Sequence, residues 1–251
     1  MSEKLNRREF LYAGGVECTG LLLGGNLSLI HVPVSGNDVS DLIDHEHIFE
    51  VKKTRHFSVL PNKKIRCELC PRKCEVDHLE RGFCGVRENR DGTYYVLAYS
   101  NPCALHIDPI EKKPFFHFLP ESRALSLATA GCNLICKFCQ NWEISQFRPE
   151  QTQNTYLSPE NIARMAVEQN VPIVAYTYAE PVIFYEYMYD CSVLGRKQGL
   201  KNVIVSAGYI NEKPLRELVK VLDAVKIDLK AFTQKYYAEV CSSDLQPVLD
   251  T

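Results

Sequence analysis

Three cysteines stand close together in the segment GCNLICKFCQNWEISQ (131–146), where Cys132, Cys136 and Cys139 have the spacing C-x3-C-x2-C. Structural metal sites usually take four protein ligands, and no fourth cysteine lies nearby in the sequence. Three thiolates can hold three irons of a [4Fe–4S] cube and leave the fourth iron open, by the logic that separates catalytic from structural zinc. This group, here called the cysteine triad, therefore predicts a cluster with one iron free to bind a substrate or cofactor.

A second group, here called the cysteine knuckle, comprises Cys67, Cys70, Cys74 and Cys84. Pro71 and Gly82 bend the backbone within it, which helps four thiolates converge on one point. Four cysteines suit either tetrahedral zinc or an iron–sulfur cluster, and the spacing does not choose between them. Because clustered cysteines in a chain of enzyme size favour metal over disulfides, we expect a second metal site here.

The composition is that of an ordinary globular protein. The chain has 251 residues, of which 45% are hydrophobic and 24% are charged, and its net charge is -2. A balance so close to neutral gives no electrostatic footprint for nucleic acid, so we expect no DNA partner.

Residues 1–30 look like a twin-arginine export signal, because Arg7 and Arg8 precede Phe10, Leu11 and a stretch rich in glycine and leucine. The apolar run is too short and too rich in glycine to form a stable transmembrane span. Glu17 places a charge inside this run, so a loosely docked N-terminus stays open as the alternative.

We interpret residues 31–60 as a polar linker. Residues 61–120 form an expected cysteine-rich metal-binding module, in which DGTYYVLAY (91–99) predicts a turn followed by a strand. From residue 121 to residue 251, short apolar runs alternate with helical patterns; Ser158 and Pro159, for example, are typical of a helix N-terminus. Four such strand–helix pairs predict an α/β fold with a parallel sheet, either open or rolled into a barrel.

Polar residues follow each of these four predicted strands. They are the cysteine triad after the first strand, Tyr178 and Glu180 after the second, Ser206 and Gly208 after the third, and Asp228 and Lys230 after the fourth. The carboxyl ends of parallel strands share one edge, where the active sites of α/β folds and barrels lie. We therefore expect these residues to line one pocket, although Glu180 could instead start a helix and Lys230 could be solvated.

The triad has a specific chemical interpretation. S-adenosylmethionine (SAM) can chelate an open cluster iron through its amino and carboxylate groups, and one electron then cleaves the sulfonium to give a 5′-deoxyadenosyl radical. C-x3-C-x2-C with an aromatic residue, Phe138, just before the last cysteine is the signature of radical SAM enzymes. Its position after the first strand of a βα series strengthens the match.

Five segments together carry a closer resemblance: the triad segment, DPIEKKPFFHF (108–118), YTYAEP (176–181), VSAGY (205–209) and IDLKAF (227–232). They resemble the radical SAM member of the AmmeMemoRadiSam system, a group similar to the activating enzymes of pyruvate formate-lyase and other glycyl radical enzymes. The resemblance covers residues 60–251 and implies a partial (βα)6 radical SAM barrel after a small cysteine-rich module. Family members continue through two further strands and helices, so it also implies a C-terminally shortened chain with four βα units.

The resemblance implies roles for the matching positions. The cysteine triad would hold the [4Fe–4S] cluster, Phe138 would lie near the adenine of SAM, and Glu180 would receive the SAM amino group. The other residues that would line the SAM pocket are Tyr178, Ser206, Gly208, Asp228 and Lys230. The implied activity is that of an oxidoreductase that cleaves SAM and abstracts hydrogen, with a flavodoxin- or ferredoxin-type electron donor and a protein as one candidate substrate.

Two other functional classes stay open. The chain could be an iron–sulfur electron carrier with two clusters, or a shortened, non-catalytic metal-binding scaffold. Glu180, Asp228 and Lys230 favour the enzyme, because an electron carrier needs no SAM-facing groups on further strands. Low-potential chemistry favours the cytoplasm, whereas the twin-arginine-like segment favours export.

Overall fold

The computed structural model describes residues 50–251. The twin-arginine-like segment and residues 31–49 of the expected linker lie outside the described residues. Among residues 50–251, no helix is both long enough and apolar enough to cross a membrane.

The secondary structure alternates strands and helices from residue 123 onward. The strands between residues 50 and 251 are β1 (Glu50–Lys53), β2 (Phe57–Val59), β3 (Ile65–Cys67), β4 (Glu75–Val76), β5 (Arg87–Arg90), β6 (Thr93–Tyr99), β7 (Ala104–Pro109), β8 (Arg123–Ala128), β9 (Ile173–Tyr176), β10 (Lys201–Ser206) and β11 (Ala224–Ile227). The helices in the same range are α1 (Trp142–Ser145), α2 (Pro159–Glu168), α3 (Tyr185–Lys197), α4 (Glu212–Leu218), α5 (Gln234–Tyr236) and α6 (Gln246–Asp250). Short 3-10 helices cover Pro61–Lys63, Ile110–Lys112, Pro149–Gln151 and Pro181–Phe184, and a π-helical turn covers Tyr237–Cys241.

The central sheet has the strand order β11-β10-β9-β8-β7. Strands β8 to β11 are parallel to one another, and helical connections return the chain after each of the first three. All four residues of β9 are buried, as expected for a parallel strand covered on both faces. The predicted α/β fold with four βα units and a partial barrel is confirmed.

Helix α2 shows how local sequence fixes these elements. Ser158 Oγ accepts a hydrogen bond from the backbone N–H of Asn161 (3.3 Å), and Pro159 occupies the first turn. Ile162, Met165 and Ala166 are buried on one face of the helix. The capping residue and the apolar spacing together account for the predicted helix.

The fifth strand differs from the expectation. β7 pairs antiparallel with β8, with Ala104 opposite Ala128 and Pro109 opposite Arg123. β7 lies within the segment interpreted as the cysteine-rich module, yet it extends the central sheet. An antiparallel neighbour joined by a short connection has no crossover helix, so the βα periodicity carries no signal for it.

Two small antiparallel sheets, β1-β6-β5 and β2-β3-β4, surround the cysteine knuckle. Strands β1 and β2 lie inside the segment expected to be a linker, because their short polar sequences form strands only by pairing with β6 and β3. One buried apolar core runs from Ile65 in β3 through β6 and the central sheet to Leu222. The cysteine-rich region therefore packs directly on the barrel.

Candidate active site

A cavity of about 810 Å³, here called the open cavity, lies at the carboxyl edge of β8, β9, β10 and β11. The predicted residues that line it are Cys132, Cys136, Cys139, Phe138, Tyr178, Glu180, Ser206, Asp228 and Lys230. Gly208 alone of the predicted set does not line the cavity. Residues from four different strand ends therefore meet at one site.

The cysteine triad lies on the loop that connects β8 to α1. Gly131 begins this loop with φ +97°, and a side chain there would come within 2.6 Å of the carbonyl oxygen of Cys84 in the knuckle. Its N–H donates to the carbonyl of Ile144 (2.8 Å), which ties the loop to α1. A residue without a side chain is thus required where the two cysteine groups touch.

Three local hydrogen bonds shape the triad. Leu134 N–H donates to Cys132 Sγ (3.3 Å), and Cys139 N–H donates to the carbonyl of Cys136 (3.0 Å). Cys139 Sγ lies 3.2 Å from Ser145 Oγ on α1. The loop therefore turns tightly and presents all three thiols to the same cavity.

The triad fits an iron–sulfur cluster by residue type, loop position and common cavity. Burial raises the pKa of Cys132 well above its usual range, and burial together with the neighbouring Cys241 thiol raises the pKa of Cys136 to about 12. Such thiols lose their protons when a metal binds them. Among residues 50–251, no three side chains of Cys, His, Asp or Glu already stand in ligand geometry, so binding requires the thiols to turn toward a common centre.

Glu180 follows β9 and is only 1% exposed. Its Oε1 accepts from Val182 N–H (3.0 Å) and Ser206 Oγ–H (2.7 Å), and its Oε2 accepts from Ala207 N–H (2.8 Å). Burial raises the pKa of this carboxyl above its usual value, against the effect of these hydrogen bonds. Because a carboxylate offers about four lone-pair directions, Oε2 can accept one further donor from the cavity.

Glu180 is also the N-cap of the 3-10 helix that starts at Pro181. It therefore both begins a helix and lines the open cavity. Ser206 supports it from β10: its hydroxyl donates to Glu180 and accepts from Gly208 N–H (2.9 Å). Gly208 has φ +72°, and a side chain there would come within 2.7 Å of Ile227 Cγ2 on β11. Gly208 therefore shapes the wall behind the cavity.

Asp228 and Lys230 follow β11 and form one charged cluster with Lys226. Lys230 Nζ lies 2.9 Å from Asp228 Oδ2, and Lys226 Nζ contacts Oδ1 of the same carboxylate. Asp228 N–H donates to the carbonyl of Ser206 (2.8 Å), which fixes the strand end against β10. The carboxylate and both ammonium groups thus face the same end of the open cavity.

Phe138 stands at the cavity with half of its surface exposed. Its ring centroid lies 6.1 Å from that of Tyr236 on α5, in a tilted arrangement. An exposed, partly braced aromatic ring offers a surface for stacking with a planar ligand.

The sequence analysis missed a buried ionic group on the β7 side. Lys113 Nζ lies 2.6 Å from Asp108 Oδ2 and 3.0 Å from Tyr178 OH, and the Tyr178 hydroxyl donates to the same carboxylate oxygen (2.5 Å). Lys113 is 2% exposed, and Tyr178 holds the left-handed value φ +66°. Although burial alone would raise it, hydrogen bonds from Lys112, Lys113 and Tyr178 hold the pKa of Asp108 well below its usual value.

Four lysines line the open cavity, against two carboxylates. The lysines are Lys112, Lys113, Lys226 and Lys230, and the carboxylates are Glu180 and Asp228. Asp108 lies behind Lys112 and Lys113 and offsets part of their charge. The cavity is therefore suited to a ligand that carries carboxylate or other anionic groups.

Comparisons with known proteins agree with this geometry. A model of the Radical SAM superfamily matches residues 126–251. The uncharacterized protein MJ0808 of Methanocaldococcus jannaschii is 45% identical over 201 residues, which cover 80% of this chain and 60% of that protein. The uncharacterized protein MJ0674 of the same organism is 33% identical over 105 residues, covering 40% of this chain and 25% of that protein. The chain thus spans less than two thirds of the length of either relative.

Among solved structures, TYW1 with a lysine-pyruvate adduct bound is similar at 18% identity and a TM-score of 0.38, covering 56% of this chain and 54% of that one. The superfamily model begins inside β8 and takes in every strand end that lines the open cavity. Since it matches half of the chain, residues 126–251, the chain belongs to the radical SAM superfamily.

Proposed function

We propose that this chain is an activase-like radical SAM enzyme of the AmmeMemoRadiSam type, with the [4Fe–4S] cluster held by Cys132, Cys136 and Cys139. Superfamily membership supports the cluster and SAM. The observation that carries the residue assignment is the open cavity, in which the cysteine triad and the polar ends of β9, β10 and β11 meet. Among residues 50–251, only these three cysteines line it, which leaves one cluster iron for SAM.

Cys132, Cys136 and Cys139 would hold the cluster, which when bound would supply the electron for reductive cleavage of SAM. Glu180 would accept a hydrogen bond from the SAM ammonium through the free direction of Oε2. Ser206 and Gly208 would hold Glu180 and the cavity wall in position, as their hydrogen bond and close packing indicate.

The remaining residues would orient the nucleotide and its carboxylate. Phe138 would stack near the adenine, and Asp228 would accept hydrogen bonds from ribose hydroxyls. Lys230 would meet the SAM carboxylate, and Tyr178 would close the wall beside it. Because all four line one cavity, a single ligand can reach each of them.

The electron comes from outside the chain, as superfamily members need an external donor; a flavodoxin or ferredoxin is the type we propose. The substrate is proposed by resemblance as a protein glycyl radical site, with a small molecule as the alternative. The excess of lysines around the cavity supports a substrate with acidic groups near the reacting position.

The test is SAM cleavage by anaerobically reconstituted protein with dithionite as reductant. The wild-type chain is expected to form 5′-deoxyadenosine, detected by chromatography and mass spectrometry. Cys136→Ala is expected to lose both the cluster absorbance and the product. Cys103→Ala serves as the matched control, because Cys103 is buried but does not line the open cavity, and it should keep both.

A wild-type chain that carries a spectroscopically verified cluster and forms no 5′-deoxyadenosine would refute the enzyme and favour an electron carrier. A Cys136→Ala chain that keeps its cluster would show that the ligand is misassigned.

A further inference from the structure

We propose that the cysteine knuckle is a closed structural site for a single zinc ion. Cys67, Cys70, Cys74 and Cys84 line one cavity of about 20 Å³. One water-sized sphere needs roughly 10–15 Å³, so this space, with the side chains as they stand, fits one ion better than a four-iron cube. The size therefore favours a single ion over the cluster that the cysteine spacing leaves open.

The hydroxyl of Tyr94 gives an independent indication of a ligand. Tyr94 lines the same cavity, its side chain is 0% exposed, and its OH has no hydrogen-bond partner within the described residues. A buried hydroxyl without a partner is costly, so such groups normally face an acceptor. A thiolate bound to a metal would supply that acceptor.

A backbone N–H also points at one knuckle sulfur. Phe83 N–H donates to Cys74 Sγ at 3.4 Å. A neutral thiol is a weak acceptor, whereas a thiolate accepts strong charge-assisted hydrogen bonds. The Cys74 sulfur is therefore placed to be a thiolate.

Arg87 compensates the charge of such a site. It lines the knuckle cavity, is 1% exposed and lies 2.5 Å from Glu186 on α3. Its guanidinium also interacts electrostatically with Cys67 and Cys84. A buried cation beside Cys67 and Cys84 lowers the cost of burying their negative charge, while Glu186 balances part of that cation.

Zinc is the ion that these features fit. Thiolates select zinc or iron–sulfur clusters, and the small cavity favours the mononuclear choice. Zinc–sulfur bonds of about 2.3 Å require the four thiols to turn inward, because no three such side chains among residues 50–251 stand in ligand geometry. Of the four knuckle thiols only Cys84 also borders a larger cavity, of about 750 Å³. Four protein ligands leave no metal position open to a substrate, which is typical of a structural ion.

The ion would also position the triad loop from outside. Arg72 lies between Cys70 and Cys74, and its Nε donates to the carbonyl of Asn133 (2.6 Å) beside Cys132. A second nitrogen of its guanidinium donates to the carbonyl of Ser242. An ion that holds the knuckle in place would thus also hold Arg72, whose hydrogen bonds position the triad loop.

The test isolates the knuckle by removing the triad from the full chain. A variant with Cys132, Cys136 and Cys139 all changed to alanine is expressed with iron and zinc both present, and its metals are counted by mass spectrometry. We expect one zinc ion per chain and no iron. Bound iron, or a chain without metal, would each overturn the proposal, and neither result depends on SAM cleavage.

A second pair of variants identifies the ligands in the same background. Cys70→Ala is expected to lose the zinc, whereas Cys191→Ala, which removes another buried thiol elsewhere, should keep it. Cobalt replacement in the parent should give the intense visible absorption of tetrahedral cobalt thiolate, and an octahedral spectrum would contradict the assignment. Equal zinc content in Cys70→Ala and Cys191→Ala would contradict it too.

Tyr94→Phe tests the zinc site without changing a cysteine, so it serves even if a cysteine variant does not fold. Removing only the hydroxyl should speed zinc release to a chelator roughly tenfold, because a hydrogen bond to a charged sulfur is lost. Tyr95→Phe, next in β6 but outside the knuckle cavity, should release zinc at the parent rate. Equal release rates in the two variants would show that Tyr94 does not face the ion.

Discussion

The cysteine triad and the cysteine knuckle touch each other, yet they stand in opposite surroundings. The triad borders about 810 Å³ of space with charged walls. The four knuckle cysteines share about 20 Å³ among Leu69, Tyr94 and Ile183, and only Cys84 of them also borders a cavity of about 750 Å³. Three sulfurs beside open space leave a metal position for a ligand, whereas four sulfurs in a filled space complete the coordination. Enclosure and ligand number, more than residue type, thus distinguish the proposed reactive site from the proposed structural site.

The largest expected contrast comes from one cysteine of each group. Cys70→Ala should lower the free energy of unfolding by more than about 4 kcal/mol, the range in which loss of a metal site lies. Cys139→Ala should abolish SAM cleavage and leave the zinc count unchanged. Urea unfolding and metal analysis of both variants check this. Similar losses of unfolding free energy in the two variants would contradict a structural role for the knuckle alone.

A buried ion pair tests how much the wall of the open cavity contributes to the fold. Lys113→Met should destabilise the chain by about 3 kcal/mol, because it leaves the Asp108 carboxylate without its buried partner. Lys112→Met is the matched control: its side chain is 62% exposed, so its loss should cost at most about 1 kcal/mol. Equal midpoints of urea unfolding would mean that the wall is not held by Lys113.

The contact between the two groups can be probed at Gly131. Gly199 also has a positive φ but has nothing near its missing side chain, so Gly199→Ala should cost about 1–2 kcal/mol from backbone strain alone. Gly131→Ala should cost about 1–3 kcal/mol more, since its methyl group would meet the Cys84 carbonyl. It should also lower iron incorporation at the triad, measured after reconstitution. Identical behaviour of the two alanine variants would show that the groups are independent.

Acid should weaken the open-cavity side through Asp108. Its folded pKa is held below the unfolded value of about 3.9, so its contribution to stability is complete above that pH and is lost as pH falls toward the folded pKa. Asp108→Asn should therefore flatten the fall in unfolding free energy below about pH 4. Urea unfolding from neutral to acid pH measures how the unfolding free energy changes with pH in the parent and in Asp108→Asn. Equal pH dependence in the two chains would show that other groups cause the loss of stability in acid.

The sequence predicted the features that follow from local pattern. Apolar runs and helix caps such as Ser158 mark the four βα units, and the carboxyl-end rule brings Glu180 and Asp228 to the cysteine triad. The triad itself is a short local motif, so its loop position follows once β8 is found. These predictions need only neighbouring residues and one general rule of sheet topology.

What escaped prediction depends on contacts between distant residues. The antiparallel pairing of β7 with β8 carries Asp108 and Lys113 to the open cavity, and no spacing signals that pairing. β1 and β2 become strands only through β6 and β3. Gly208 was expected to touch the ligand, but its positive φ and its packing on Ile227 give it a place in the wall.

The guanidinium of Arg72 joins the carbonyl of Ser242 across 170 residues of chain. A contact between such distant segments forms late, because a long loop must close before it is made. During synthesis Arg72 emerges well before Ser242, so this contact can form only after nearly the whole chain has left the ribosome. The arrangement of the triad loop is therefore complete only when Arg72 reaches Ser242.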